Sequence, residues 1–181
     1  PEHNAINYGV GPNSAVVNLL NPGGAITGLV TVDNYESNEF ANKTNLVINA
    51  GAGSDEIHLG HPGTPTALVS IAVDGGDPTA SDTVIITDAD SATAIVFKPT
   101  SESGATVSGA QTSAVTLTNT EHVVVNGLDG ADAITINGTA LDDTFVLQPT
   151  GTGSGQFASD ASPDLSFLSI AAVTVDGGSG G

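Results

Sequence analysis

The sequence predicts an all-β protein, a parallel β-helix or β-solenoid with coils of about 25 residues. Short runs of β-branched residues alternate with clusters of Gly, Asp, Asn and Ser, as in strands separated by tight turns. No segment keeps the 3.6-residue period of an amphipathic helix. Landmarks recur about fifty residues apart, which is typical of repeat architectures. A β-sandwich, which also has short strands and frequent turns, is the alternative.

The predicted strands are short apolar runs, and a turn signal follows nearly every one of them. With 23 Gly and few aromatic residues, the core has to be built from Val, Ile, Leu and Ala, which favours strands over helices. The runs are 46–48, 69–73, 83–86, 115–117, 123–125, 133–136, 144–147 and 173–175.

Three sets of landmarks define the repeat. The segment 73–76 recurs at 125–128 and 175–178, 81–86 recurs at 131–136, and 97–100 recurs at 147–150. An Asn-Ala-Gly segment about 25 residues before Asp74 marks a half-step, so fifty residues could form two coils. We therefore predict a repeat-built region over 46–181, with repeats near 73–124 and 125–174 and a further repeat starting at 175. Residues 1–45 lack the landmarks and are predicted to form an N-terminal cap or a divergent coil.

The charge balance restricts the partners. Lys and Arg number 2 against 20 Asp and Glu, for a formal net charge of −18. Nucleic acid is excluded because phosphate binding depends on Lys and Arg, and anionic membrane surfaces are excluded for the same reason. We expect no membrane insertion. Metal ions are the natural small partners of such a surface, and the absence of Cys excludes thiolate ligands.

A calcium-type motif recurs in the turns. Residues 50–58 and 127–135 each depart from the pattern G-G-x-G-x-D-x-U-x at one fixed position, 75–84 is a copy with a longer turn, and 177–181 is the start of a fourth. Glycines permit positive φ and expose backbone carbonyls, while the Asp adds the hard oxygen that Ca²⁺ prefers. The apolar residue two positions after each Asp should share its inward face: Asp55 with Ile57, Asp82 with Val84, and Asp132 with Ile134.

These motifs resemble the RTX-like repeats of large secreted and cell-surface bacterial proteins. The resemblance implies a β-solenoid that binds calcium between stacked turns and acts in adhesion or in surface layers. RTX motifs follow one another every nine residues, whereas here one motif appears per 25 to 50 residues. The alternative is that Gly and Asp only form turns, without metal. The candidate calcium-binding residues are Asp55, Asp77, Asp82, Asp129, Asp132, Gly51, Gly53, Gly75 and Gly130.

Other chemistry has weaker support. His58 and His61 with Glu56 could suggest zinc, but a solvated strand end is the better interpretation. Catalysis is not expected. β-Helix enzymes that act on acidic polysaccharides use Arg or Lys, and this chain has no Arg and two isolated Lys. Asp142 and Asp143 are adjacent, so on a strand they point to opposite faces and cannot work as an acid/base pair.

The sequence thus predicts a non-catalytic, extracellular structural or adhesive repeat protein of a bacterial cell surface, surface layer or filament. We expect calcium to stabilise it, and head-to-tail assembly to bring it against copies of itself or neighbouring repeats of a longer chain. Surface glycans are further candidate partners. The alternatives are a carbohydrate-active β-helix or its carbohydrate-binding module, and a calcium-dependent β-sandwich adhesion module.

Overall fold

The computed structural model describes residues 3–77, 79–88, 93–110, 113–128, 131–140 and 142–178. Within these ranges the chain forms sixteen strands and no helix, which confirms the all-β prediction. Every predicted run overlaps a strand. The strands are β1 (Ala5–Val10), β2 (Gly28–Val32), β3 (Glu36–Phe40), β4 (Asn45–Asn49), β5 (Glu56–Leu59), β6 (Ser70–Asp74), β7 (Thr83–Thr87), β8 (Ala94–Ser101), β9 (Gly104–Ser108), β10 (Ala114–Thr118), β11 (His122–Asn126), β12 (Asp132–Asn137), β13 (Phe145–Gly151), β14 (Ser154–Ser159), β15 (Asp164–Leu168) and β16 (Ile170–Asp176).

The strands form two mixed sheets. The nine-stranded sheet has the order β13-β14-β15-β11-β7-β5-β1-β2-β3, and the seven-stranded sheet has the order β16-β12-β8-β9-β10-β6-β4. Among the described strands, antiparallel pairing occurs only inside the three meanders β1–β2–β3, β8–β9–β10 and β13–β14–β15. Every other pair is parallel, since strands that are neighbours in a sheet are reached after the chain has visited the other sheet.

One apolar core lies between the sheets. Alternate residues of each strand enter it, as the two-residue period of a strand requires. Ile57, Val84 and Val123 occupy matching positions on the neighbouring strands β5, β7 and β11, and each is fully buried. Burying an aliphatic side chain of this size stabilises the folded state by about 1.5–3 kcal/mol. Among the described residues no helix is long and apolar enough to cross a membrane.

The fifty-residue echo corresponds to a five-strand unit. The unit consists of β6, β7 and the meander β8–β9–β10, and it is followed by β11, β12 and the meander β13–β14–β15. Equivalent strands lie in opposite sheets: β7 belongs to the nine-stranded sheet, whereas its echo β12 belongs to the seven-stranded one. Fifty residues therefore form two single strands and a meander rather than two similar coils. A strand that lies in one sheet in the first unit has its equivalent in the other sheet in the second unit.

Candidate functional site

The motif aspartates lie at the starts of strands and face the core. Asp55 and Asp82 directly precede β5 and β7 of the nine-stranded sheet, and they are 2% and 0% exposed. Asp132 begins β12 of the seven-stranded sheet and is also fully buried. Each shares its inward face with the apolar residue two positions later, as predicted. Asp132 therefore belongs to a different row of turns from Asp55 and Asp82.

A chain of hydrogen bonds links the residues that precede neighbouring parallel strands. The Asn4 backbone N–H donates to Asp55 Oδ1 over 2.6 Å, and the Asp55 N–H donates to Asp82 Oδ1 over 2.8 Å. The Asp82 N–H in turn donates to Glu121 Oε2 over 2.9 Å. We call Asn4, Asp55, Asp82 and Glu121 the acid ladder. In it, side-chain oxygens continue the pairing of the sheet by accepting N–H groups that lie just outside the strands.

Asp132 plays the same part on the opposite sheet, where its Oδ1 accepts the Thr93 N–H over 2.7 Å. Each of these three aspartates thus accepts one backbone N–H from the residue that precedes the neighbouring strand. Because this cap takes only one carboxylate oxygen, it leaves the second oxygen to be accommodated in the interior.

The second oxygens are the unusual feature of the site. Within the described residues, the Oδ2 atoms of Asp55, Asp82 and Asp132 are buried and have no hydrogen-bond partner. Burial raises the pKa of the Asp82 carboxyl, and the nearby acids Glu121, Asp55 and Asp77 raise it further, against the lowering effect of the Asp55 N–H. A buried carboxylate of this kind requires a proton or a cation to offset its charge.

Glycines make room for these carboxylates. A Cβ on Gly75 would lie 2.8 Å from Asp82 Oδ2 and would overlap the carbonyl oxygen of Asn119, which lies between β10 and β11. A Cβ on Gly127 would collide with Asp132 Oδ2 in the same way. Gly75 is therefore required by close packing against the ladder, a different reason from the exposed carbonyls expected of it in the sequence.

The remaining motif residues form a shallow cleft between two stacked turns. The Asp77 N–H donates to the Gly51 carbonyl over 3.1 Å, and Gly51 and Gly53 have φ values of 100° and 126°. Asp77 Oδ1 accepts the Thr79 N–H over 2.9 Å and the Thr79 hydroxyl over 2.8 Å, and these bonds lower the pKa of Asp77. The cleft has a volume of about 210 Å³ and is lined by Gly53, Ser54, Asp77, Thr79 and Ala80.

Calcium fits this cleft better than it fits the ladder. Ca²⁺ takes six to eight oxygen ligands, and the cleft offers the half-buried carboxylate of Asp77 with backbone and hydroxyl oxygens, so water would supply the rest. The ladder carboxylates already accept N–H groups, and those of Asp55 and Asp82 are closed off from solvent, whereas Glu121 is half-buried. No group of three or more His, Cys, Asp or Glu side chains suited to a metal occurs in the described part of the chain. Asp129 and Gly130 lie outside the described residues.

One of the two histidines differs from the sequence-based interpretation. His58 follows it, since this partly exposed residue places Nε2 2.7 Å from Glu56 Oε1 near the end of a strand. For His61 the prediction of a solvated strand end is wrong. His61 is 2% exposed, stacks on the Tyr8 ring at 5.4 Å, contacts the Thr27 carbonyl through Nε2 and accepts the Gly63 N–H at Nδ1. It is a core residue with both ring nitrogens engaged.

Sequence reasoning missed two members of the ladder. Asn4 and Glu121 stand outside the calcium-type motif, and they join Asp55 and Asp82 only because β1 and β11 flank β5 and β7 in the sheet. The sequence signal that could have identified them is that Asn4 and Glu121 each directly precede an apolar run.

Comparison with protein-family models, curated proteins and solved structures finds no match for this chain. Function is therefore inferred from the ladder, from the cleft and from the edges of the two sheets.

Proposed function

We propose that the protein is a non-catalytic, extracellular structural or adhesive repeat protein of a bacterial cell surface, stabilised by calcium. The observation that carries the proposal is the stacking of acidic turns: the acid before one strand accepts the backbone N–H of the residue before the neighbouring strand. Repetition of one stabilising contact along a stack suits an elongated structural or spacing element. The RTX-like motifs and the acidic composition are consistent with that role.

The proposal includes a solenoid-like winding of the two sheets. Its support is that β4, β5, β6 and β7 alternate between the sheets, and that β4 pairs in parallel with β6 and β5 pairs in parallel with β7. A sandwich adhesion module is the alternative. The meanders are common to both, so the parallel pairs are the feature that favours the winding.

Calcium would act at the cleft beside Asp77. At a net charge of −18 the turns repel one another, and a divalent cation between Asp77 and the carbonyl oxygens of the turn that contains Gly53 would reduce that repulsion. The acid ladder would benefit indirectly, because Asp77 is one of the acids that raise the pKa of Asp82.

Copies of the chain, or neighbouring repeats of a longer one, are the proposed partners. β3 and β4 are the edge strands at one end, and β13 and β16 are the edge strands at the other. In each sheet the two edge strands run in the same direction, so a following copy could continue it by parallel pairing. Glu36 and Glu39 on β3 and Pro149 on β13 oppose pairing of the nine-stranded sheet. β4 has neither charge nor Pro, and β16 has only its last residue, Asp176, so the seven-stranded sheet is the better seam.

The test is thermal unfolding in EDTA and then in millimolar CaCl₂, with MgCl₂ at equal concentration as the screening control. Saturation at about 100 times Kd would add about 2.7 kcal/mol, or roughly 5–10 °C in Tm. Asp77→Asn should abolish the calcium-specific rise. Glu36→Gln, which removes the same charge from β3, should retain it.

Sedimentation velocity in the same buffers separates calcium binding from assembly. A calcium-dependent rise in Tm with an unchanged sedimentation coefficient would support the ion and contradict head-to-tail stacking. Equal effects of calcium and magnesium, or a rise that survives Asp77→Asn, would contradict the calcium site.

A further inference from the structure

A second cleft lies between the loop of residues 11–27, which joins β1 to β2, and the end of β3. Its volume is about 530 Å³, and sites for small molecules are roughly 300–1,000 Å³. Glu39 and Asn42 line it from β3 and the segment that follows, and Leu20 is among the residues that line it from the loop. It shares no lining residue with the calcium cleft beside Asp77, so it is a separate site. We call it the polar cleft.

The Glu39 carboxylate is fixed by three hydrogen bonds. Oε1 accepts the Asn13 N–H over 2.8 Å and the Thr27 hydroxyl over 2.6 Å, and Oε2 accepts the side-chain amide of Asn13 over 2.5 Å. The Thr27 bond has the largest effect on the pKa of Glu39 and lowers it, so the carboxyl is ionised at neutral pH. A carboxylate has about four acceptor positions, so Oε2 retains one for a donor that enters the cleft.

Asn42 adds an amide whose hydrogen-bonding groups are available. Its backbone has a φ of 56° and is anchored by its N–H, which donates to the Thr66 carbonyl over 2.8 Å. Within the described residues, the side chain of Asn42 has no hydrogen-bond partner, and it is exposed. Residues other than glycine that are held at positive φ cluster at ligand sites. The Asn42 amide therefore offers two donors and an acceptor beside the Glu39 carboxylate.

Apolar side chains line the same cleft. Phe40 is half-buried, and its ring stacks on the Tyr8 ring with the centroids 6.3 Å apart. Leu20 is 82% exposed and lines the cleft from the loop, next to Pro22. The cleft thus combines apolar contact area with a few fixed polar groups, as binding sites for small molecules do. A pyranose ring has the matching surface, because it carries C–H groups on its faces and hydroxyls around its rim.

The charges indicate an uncharged ligand. Among the described residues that line the cleft, Glu39 is the one charged side chain, and the chain as a whole carries −18, so anions are repelled. A single carboxylate that already accepts three hydrogen bonds is a poor centre for a metal ion, which requires more oxygen ligands. Cleavage of a glycosidic bond ordinarily uses two carboxylates. The cleft is therefore suited to binding a neutral sugar without hydrolysing it.

We propose that the polar cleft binds a neutral hexopyranose of a surface glycan. Glu39 Oε2 accepts one sugar hydroxyl, the Asn42 amide bonds a second, and Leu20 and Phe40 contact the C–H groups of the ring. This assigns a site to the surface glycans expected from the sequence. Calcium has no part in it, so the inference stands or falls independently of the proposed function.

The experiment is saturation-transfer NMR in EDTA with the methyl glycosides of glucose, galactose, mannose and N-acetylglucosamine. At least one of them should bind saturably with a Kd on the order of 1 mM, since a ligand of roughly a dozen heavy atoms makes few contacts. The methyl glycoside of glucuronic acid should bind about tenfold more weakly than that of glucose, because its carboxylate faces Glu39 and the acidic surface.

Two variants assign the binding to the cleft. Asn42→Gly retains the positive φ and removes the amide, and it should weaken binding about threefold to tenfold without changing Tm. Glu39→Gln should weaken binding about tenfold or more, because the charged acceptor is lost. Glu36→Gln removes the same charge from β3 outside the cleft, and Asn119→Gly replaces another Asn of positive φ. Both controls should bind like the unaltered chain.

Three results would overturn the proposal. The first is the absence of saturable binding for all four neutral glycosides up to about 50 mM, far above the expected Kd. The second is binding that neither Asn42→Gly nor Glu39→Gln weakens, which would place the sugar elsewhere. The third is equal affinity for the glucoside and the glucuronide, since the charge of Glu39 would then have no influence on the ligand.

Discussion

The acid ladder and the loop of residues 11–27, which joins β1 to β2, satisfy backbone N–H groups with different side chains. Both lie at strand ends, where backbone N–H groups have lost their sheet partners, and both supply short polar side chains as acceptors. Asn21 in the loop has donors as well as acceptors, and its amide is bonded at both ends. Asp82 in the ladder has only acceptors, so its Oδ2 is left without a hydrogen bond.

The difference shows what a buried carboxylate adds to a turn. An amide has donors and an acceptor, so all its groups can be hydrogen-bonded within the protein without a ligand. A carboxylate caps the same N–H but retains a charge that a proton or a nearby cation has to offset. The ladder is therefore sensitive to pH and ions, whereas the amides of the loop carry no charge that pH could change. Four substitutions, each with its own comparison variants, test this difference.

The largest effect is expected from packing against the ladder. Gly75→Ala should destabilise the fold by about 3 kcal/mol or more, because the new Cβ overlaps the Asn119 carbonyl and crowds Asp82 Oδ2. Gly23→Ala in the loop should change stability by less than about 0.5 kcal/mol, because its Cβ would meet nothing within 4 Å. Urea unfolding measures both. Equal losses would mean that the ladder is not tightly packed.

The next effect comes from placing a carboxylate where the loop uses an amide. Asn21→Asp should cost about 2–3 kcal/mol, since it removes the donor to Asn13 and Ala25 and buries a charge. It should also melt the loop and increase proteolysis within residues 11–27. Asn18→Asp is the comparison variant and should cost less: Asn18 Oδ1 keeps its role as acceptor of two N–H groups, and at this half-buried residue the change removes one donor bond, from Nδ2 to Asn13 Oδ1.

Asp82→Asn, which replaces a carboxylate of the ladder by an amide, should change the pH dependence of stability more than the stability at a single pH. Because the pKa of Asp82 is raised in the folded state, that state binds more protons than the unfolded one just above the ordinary aspartate pKa of 3.8. The resulting stabilisation is present below that value and is lost as pH rises through the folded-state pKa. Asp82→Asn should remove this slope, and Asp82→Ala should in addition cost about 1–2 kcal/mol by unpairing the Asp55 N–H.

Asp77 provides the internal control for that measurement. Its pKa is lowered by the Thr79 hydrogen bonds, so its contribution is present above the ordinary aspartate pKa and is lost as pH falls. Difference curves of Tm against pH for Asp82→Asn and Asp77→Asn should therefore have opposite slopes. Slopes of the same sign would contradict the conclusion that burial raises the pKa of Asp82.

The smallest effect is expected at the end of the ladder. Glu121→Gln retains an oxygen that can accept the Asp82 N–H and removes one of the charges that raise the Asp82 pKa. Stability should change by no more than about 0.5 kcal/mol, while the pH slope attributed to Asp82 moves toward lower pH. Glu121→Ala, which loses the acceptor, should cost about 1 kcal/mol. Equal effects of the two variants would mean that the hydrogen bond contributes nothing.

The local pattern of the chain was sufficient to predict eight of the sixteen described strands and the inward face of the motif aspartates. Periodicity of two, β-branched runs and turn residues are local properties, so the runs at 83–86 and 133–136 identify β7 and β12 without any tertiary information. The calcium-type motif likewise located Asp55, Asp82 and Asp132. It could not indicate that one oxygen of each would accept a neighbouring N–H, because that N–H belongs to a residue before another strand, far away in the sequence.

By itself the sequence determined an acidic, all-β chain with a fifty-residue rhythm and buried turn aspartates, because composition and short-range pattern carry that information. Only the tertiary structure decided that successive units exchange sheets, that Asn4 and Glu121 complete the ladder, and that Leu19 and Leu20 face solvent. The physical reason is that these features depend on which strands become neighbours. A strand cannot reveal its neighbour from its own residues, and an apolar loop cannot reveal which of its faces the asparagines will turn inward.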